Sequence, residues 1–180
     1  PVSVLTTTEV REHLGGLTVS AASDVRLQSF IDRAEAAVTR RCGPLVSTAV
    51  TARVTSGGDG LALPQYPVQS LVSVAPVGGS AYVLSDLYVT PGGVVQWAVM
   101  GSSLAAGRYD VTWNAGWAAT AAAVPADLKL GVLELIRHLW DSQRGGESRS
   151  RGGEQEQRGP GFAFPNRVIE LLEPYLMTDF

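Results

Sequence analysis

The stretch VPADLKLGVLELIRHLWDSQRGG, residues 124–146, decides the fold. Pro125 suits a first helical position, because its ring presets φ and its missing N–H would go unpaired there in any case. Asp127 follows in the first turn, where the positive end of the helix dipole favours a carboxylate. Gly145–Gly146 is the expected stop. Between these signals lies a helix of about 20 residues, roughly 30 Å long at 1.5 Å per residue. Its apolar positions are Leu128, Leu130, Val132, Leu133, Leu135, Ile136, Leu139 and Trp140, while Asp127, Glu134, His138 and Asp141 share one narrow polar face. A helix apolar over most of its circumference is buried on more than one side. The chain's own core accounts for one side. The excess predicts that another subunit covers part of the rest.

Working outward, Thr6 and Glu9 form a T-x-x-E capping box, with Leu5 and Val10 placed for a hydrophobic staple. Val10, Leu14 and Leu17 share a face of this first helix, which Gly15–Gly16 end early. A second helix is expected to start near Ser23–Asp24, both good N-caps. Leu27, Phe30, Ile31, Ala34 and Val38 recur at amphipathic helical spacing, and Gly43–Pro44 terminates the pattern. Arg26, Asp32, Arg33, Glu35, Arg40 and Arg41 read as a solvated side or as the rim of an interface.

From Val46 the period changes. Val50, Ala52 and Val54 alternate with Thr51, Arg53 and Thr55, and Ser56–Gly60 (SGGDG) makes a turn. Val68, Leu71, Val72 and Val74 predict a strand before Pro76–Gly79. Ala81–Leu84 and Leu87–Thr90 predict a hairpin about Ser85–Asp86. Pro91–Gly93 turns into Val94–Val99. Arg108–Asn114 alternates, with Tyr109, Val111 and Trp113 on one face. The fold class expected is α+β: a bundle of three to four helices with an inserted antiparallel element of about five or six short strands.

Residues 144–161 hold no apolar side chain, so they bury too little surface to offset the entropy of ordering and read as a flexible arm. Their four Arg and three Glu nearly cancel (4 − 3 = +1), which disfavours a nucleic-acid-binding arm. The last stretch, FAFPNRVIELLEPYLMTDF, is apolar again. Pro165 opens a helix whose face is Val168, Leu171, Leu172 and Tyr175, and Pro174 limits it. At about ten residues it is marginal alone in water and needs a surface.

The chain has 180 residues, 45% hydrophobic and 17% charged, with net charge −3. That balance argues against a tight grip on nucleic acid, which needs clustered Lys and Arg. No apolar run is long enough to cross a membrane, and PVSVLTTTEV lacks the features of a signal peptide. The single Cys42 allows no intrachain disulfide. Phosphate-loop, dinucleotide, zincin, nucleophile-elbow and C-x-x-C motifs are missing. His13 and His138 stand apart, and Glu134/His138 reads as helix-face decoration. The expectation is no enzyme, no metal and no cofactor. The four Trp read as packing rather than sugar stacking, with Trp97 or Trp117 the residues for a carbohydrate-binding β module if one exists.

Three stretches together resemble the head–tail connector, or adaptor, family of long-tailed double-stranded DNA bacteriophages and gene transfer agents. They are LTTTEVREHLG with DVRLQSFIDRAEAAVTRRCG, then YDVTWNAGWAATAAAVPADLKLGVLELIRHLW, then FPNRVIELLEPYL. The resemblance implies one adaptor domain: helical 1–45, a β insertion 46–114, a core helix 115–144, the arm 145–161 and a docking segment 162–180. It implies a structural protein of the virion at the head–tail junction, present in the host cytoplasm during assembly. Copies form a ring, usually dodecameric, beneath the portal protein. DNA passes through the channel without sequence-specific binding, and a stopper, tail-completion or tail terminator protein docks below. Expected portal-docking residues are Phe162, Phe164, Pro165, Arg167, Val168, Leu171, Leu172 and Tyr175. Expected subunit-interface residues are Leu130, Leu133, Arg137 and Trp140. A stopper or tail-completion role within the same neck is the alternative. The family's closing tyrosine is commonly followed by a basic residue, whereas Leu176–Phe180 is apolar and acidic.

Overall fold

The structure is a computed structural model and describes residues 3–16, 21–99, 102–148 and 164–176. It is α+β, and its described residues divide into two compact units: one within 3–41 and 125–176, the other within 42–124.

In the helical unit, α1 (Thr7–His13) starts at the expected box: the Glu9 N–H donates to Thr6 Oγ1 at 3.2 Å, and the Thr6 N–H donates to Glu9 Oε2 at 2.7 Å. The Thr6 backbone N–H, and after it the Thr6 hydroxyl, hold the Glu9 carboxyl below its ordinary value. Leu5 and Val10 are buried, as a staple requires. Gly15 and Gly16, at φ 89° and 75°, close the helix by donating to Glu12 O (3.2 Å) and Arg11 O (2.9 Å), a Schellman arrangement that a residue with a Cβ resists. Leu17 lies outside the described residues.

The second helix, α2 (Ala21–Cys42), begins two residues before the expected caps and buries Leu27, Phe30, Ile31, Ala34 and Val38 as one stripe. Arg11 and Asp24 form an ion pair between α1 and α2. Glu35, expected on a solvated side, instead tethers the chain's first described residues. Its Oε1 accepts from Ser3 Oγ (2.8 Å), Val4 N–H (2.8 Å) and Leu5 N–H (3.3 Å). Those amides precede the α1 cap and have no strand or helix partner, so a carboxylate satisfies them.

The long helix α3 (Ala126–Ser148) runs through Gly145–Gly146 rather than stopping there. Glycine costs a helix about 1 kcal/mol but leaves its hydrogen bonds intact. The last helix, α4 (Asn166–Leu172), is followed by a 3₁₀ turn at Glu173–Tyr175, where Pro174 prevents α continuation.

Among its described residues the β unit has six strands: β1 (Thr48–Ser56), β2 (Leu61–Ala62), β3 (Val68–Pro76), β4 (Leu87–Val89), β5 (Val94–Trp97) and β6 (Gly107–Ala115). They form two antiparallel sheets, ordered β1-β6-β3 and β2-β5-β4. Tyr109, Val111, Trp113 and Ala115 of the central strand β6 share one core with Leu61, Leu63, Val74, Leu87, Val95 and Leu104. The alternation read in residues 108–114 is therefore the inward side of a central strand. Burial, and after it Tyr82, pushes the Tyr109 phenol up to about 12, and its hydroxyl donates to Ala105 O at 2.9 Å.

Two expectations fail here. The hairpin about Ser85–Asp86 is a 3₁₀ turn (Leu84–Asp86), and β4 turns back on β5 instead through Thr90–Gly93, where Gly93 has φ 76°. Only that turn supplies the left-handed glycine a tight reversal needs. Val72 is half-exposed, because register shifts on either side of Ser70–Leu71 turn it out of the core.

The outward face of β1-β6-β3 is a ladder of polar pairs. Thr51 and Thr112 hydroxyls lie 3.0 Å apart, Asn114 Nδ2 donates to Ser70 Oγ at 2.9 Å, and Arg53 binds Asp110 through two bonds of 2.7 and 3.1 Å. The bond from Arg53 holds the Asp110 carboxyl below its ordinary value. A lowered folded-state value means the pair stabilises fully above the unfolded carboxyl's pKa near 4, and that stabilisation is lost as pH falls through the folded value. The stability difference between the chain and its Arg53→Met variant should therefore be constant from pH 5 to 8 and shrink as acid protonates Asp110. Urea titrations across that range measure it, and a difference that persisted in acid would contradict the assignment.

Candidate functional site

The segment expected to dock lies on α3 of its own chain. Leu172 meets α3 at Gly131, where an added Cβ would sit 2.9 Å from Leu172 Cδ2 and 3.9 Å from Leu171 Cβ. Glycine in mid-helix is costly, and here it makes the notch into which α4 fits. Arg167 Nη2 lies 3.4 Å from Glu134 Oε1, and the Arg41 guanidinium sits 4.3 Å above the Phe164 ring. Burial first, and Asp127 second, raise the Tyr175 phenol above its ordinary value. A cleft of about 210 Å³ runs between the two helices, lined by Glu134, Arg137, His138, Asp141, Pro165 and Arg167. Its two carboxylates and two guanidiniums are paired as Glu134–Arg167 and Asp141–Arg137 (4.0 Å), leaving it nearly neutral.

The expected docking and interface residues lie at different depths. Val168 and Leu172 are wholly buried against their own unit, so they are not a docking surface while α4 stays on α3. Trp140 is 7% exposed and packs edge-to-face on Phe30 at 5.5 Å, so it is enclosed by its own chain. Within the chain, α3 is covered chiefly by α4, with α1 beside it and Phe30 of α2 against Trp140. Phe164, Pro165, Leu171 and Tyr175 are half-buried, Arg167 and Arg137 are exposed, and Leu130 and Leu133 are half-buried. Phe162 lies outside the described residues, as does most of the expected arm. The outward side of α4 and of the turn after it carries Ile169, Glu170, Glu173 and Leu176, of which Ile169 and Leu176 are exposed apolar residues. Sequence reading assigned none of these four, since the helix's two sides differ too little in hydropathy. Gly131 was the available signal: a lone glycine inside a helical pattern has a packing reason.

Leucine at position 131 should expel α4. The larger side chain cannot share the notch with Leu172, and overpacking of this kind costs about 1–3 kcal/mol. Trypsin should then cut after Arg167 roughly fivefold to a hundredfold faster, since 1.4 kcal/mol is a factor of ten in the open population. Unchanged cleavage would show that α4 does not depend on the notch.

Within the second stretch of the resemblance, Asn114–Trp117 also acquires a physical role. Trp117 Nε1 donates to Cys42 O at 2.6 Å, and the Trp117 and Ala118 amides donate to Pro44 O (3.0 Å) and Leu45 O (3.2 Å). Cys42 itself is a buried free thiol. Trp97 packs on Tyr82 at 5.2 Å. Among the described residues no three His, Cys, Asp or Glu side chains are grouped to hold a metal ion, and no helix is long and apolar enough to cross a membrane.

A profile of the family described as Head completion protein matches residues 3–178. The chain belongs to the head completion protein family. Its fold is shared by a protein in the neck of an empty gene transfer agent particle computed with C6 symmetry, at 25% identity and a TM-score of 0.67, over 98% of this chain and 91% of that one. A chain from the neck of the native particle, computed with C12 symmetry, has the same fold at 24% identity, a TM-score of 0.65 and the same coverage. None of the curated proteins is significantly similar in sequence. Head completion proteins are structural proteins of the phage head and neck, and the head–tail junction is their place in the particle.

Proposed function

We propose that this chain is the head–tail adaptor: a ring of identical subunits beneath the portal that lengthens the DNA channel and presents a platform to tail-side proteins. The observation that carries this reading is a likeness extending through both units, over 98% of the chain, to a particle-neck protein at 25% identity. The absence of clustered basic residues suits a channel that lets DNA slide. In this reading Leu130, Leu133 and Arg137 on α3 face the next subunit, and each contact buries roughly 1,200–2,000 Å². The docking segment keeps its buried side against an α3 helix and meets the portal through its outward residues, with Phe164, Pro165, Arg167, Leu171 and Tyr175 along the contact's edge.

Deleting residues 162–180 is not a clean test, because Val168 and Leu172 belong to the helical unit's core. An Ile169→Glu/Leu176→Glu variant leaves that core alone. Native mass spectrometry and class averages with purified portal should show a ring on the portal for the unaltered chain, and binding at least about tenfold weaker for the variant, the effect of burying unpaired charge. Normal binding by the variant would remove the segment from the portal contact. Capture of tail-side components but not portal would favour the stopper role instead, which the description Head completion protein accommodates equally.

A further inference from the structure

We propose that in the assembled ring each copy's α4 seats in the Gly131 notch of the neighbouring copy, so that the subunits are joined by exchanged helices. The inference rests on the ring reading above. Its first support is the notch. Gly131 gives α3 a docking place shaped for Leu172, with Glu134 beside it for Arg167. Every copy carries one notch and one α4, and a seven-residue helix is too short to persist in water without such a surface.

Reach is the second support. The contact with Glu134 lies 14 residues before the end of α3 (148 − 134 = 14), a return of roughly 21 Å along the helix. Residues 149–163, fifteen in all (163 − 149 + 1 = 15), join α3 to the residue before Pro165 and can extend to roughly 50 Å. The connection is more than twice as long as the return within one chain requires. The surplus of roughly 30 Å is about the diameter of a small domain. A donor on one copy can therefore reach an acceptor on the next when the connection is extended.

The exchanged contact repeats the one within the chain. Leu172 fills the same notch, Val168 is covered by the same helix, and Arg167 meets the same carboxylate, so exchange loses no contact. One donor and one acceptor per copy make a head-to-tail relation, which closes into a ring when the rotation closes. The tether keeps the exchanged helix at high local concentration once the neighbours touch.

A disulfide reports the partner directly. The Cβ of a residue at 131 would lie 3.9 Å from Leu171 Cβ, close to the about 3.8 Å typical of disulfides. The one native cysteine, Cys42, is buried. The Gly131→Cys/Leu171→Cys chain is assembled with portal, oxidised and run on a non-reducing gel. Exchange predicts a ladder of covalent multimers, and an equimolar mixture of the two single variants predicts a covalent dimer. Rings holding only intrachain links, with no dimer from the mixture, overturn the exchange while leaving the ring intact. Native mass showing no ring at all overturns the ring reading itself. If cysteine at 131 unseats α4 or prevents folding, Glu134→Cys/Arg167→Cys with a short bismaleimide gives the same two outcomes.

Discussion

Alanine at position 116 is expected to lower the melting temperature of the β unit by about 10 °C. Gly116 has φ 151°, which residues with a Cβ rarely adopt, and its own N–H donates to Pro67 O at 2.8 Å. A Cβ there would lie 2.7 Å from both Ser47 N and Val46 C, and 2.8 Å from Ser47 Cα. These are backbone atoms and cannot swing aside as a side-chain tip can. Displacing them breaks the Ser47 N–H bond to Ala118 O (2.7 Å) and the bridge between Val46 and Ala118, which lead into β1. Backbone strain of about 1–3 kcal/mol and overpacking of similar size give roughly 3 kcal/mol together. In a chain of this length each kcal/mol moves the midpoint by about 2–4 °C. Gly57→Ala is the control, since nothing stands within 4 Å of its Cβ position and its φ is ordinary. Thermal melts followed by circular dichroism measure both. A Gly116→Ala midpoint matching that of the control would refute the steric argument.

Truncating Trp113 to alanine should cost about 3–5 kcal/mol. The ring is fully buried in the centre of β6, between Val50 of β1 and Leu71 of β3 in register. Its Nε1 donates to Gln65 O at 2.9 Å, a bond that holds the loop before the third strand. Alanine removes the ring from a core shared by two sheets and leaves that carbonyl without its donor. Trp113→Phe separates the effects: it keeps most of the ring volume and should retain more than half of the stability lost by alanine. Urea unfolding provides both numbers. A loss below about 1.5 kcal/mol for alanine would mean that the two sheets close over the gap, contrary to the close packing of protein interiors.

How much was legible in the sequence depended on the range of the interaction. The capping box at Thr6–Glu9, the glycine stop at Gly15–Gly16 and the Leu27–Val38 stripe are set by residues three to eleven apart, and all appear where the periodicity places them. The alternation of residues 108–114 identified a strand, though not that it is the middle one. β2 has only two residues, too few for any period, and the pairing that makes it a strand comes from Val94 and Val95. Glu35 looked like surface charge because its partners are amides 30 or more residues away.

The same division governs the candidate site. By itself the chain's order of apolar, polar and glycine residues determined the mixed α+β class, the helices and the lack of familiar catalytic motifs. It also determined that the α3 helix carries more apolar surface than one contact covers. Tertiary structure decided what covers that surface. A hydrophobic face is attracted to any apolar partner, because burial is non-directional and scales with area. Which partner wins is settled by shape, here the missing Cβ of Gly131 that admits Leu172, and by the Arg167–Glu134 pair beside it.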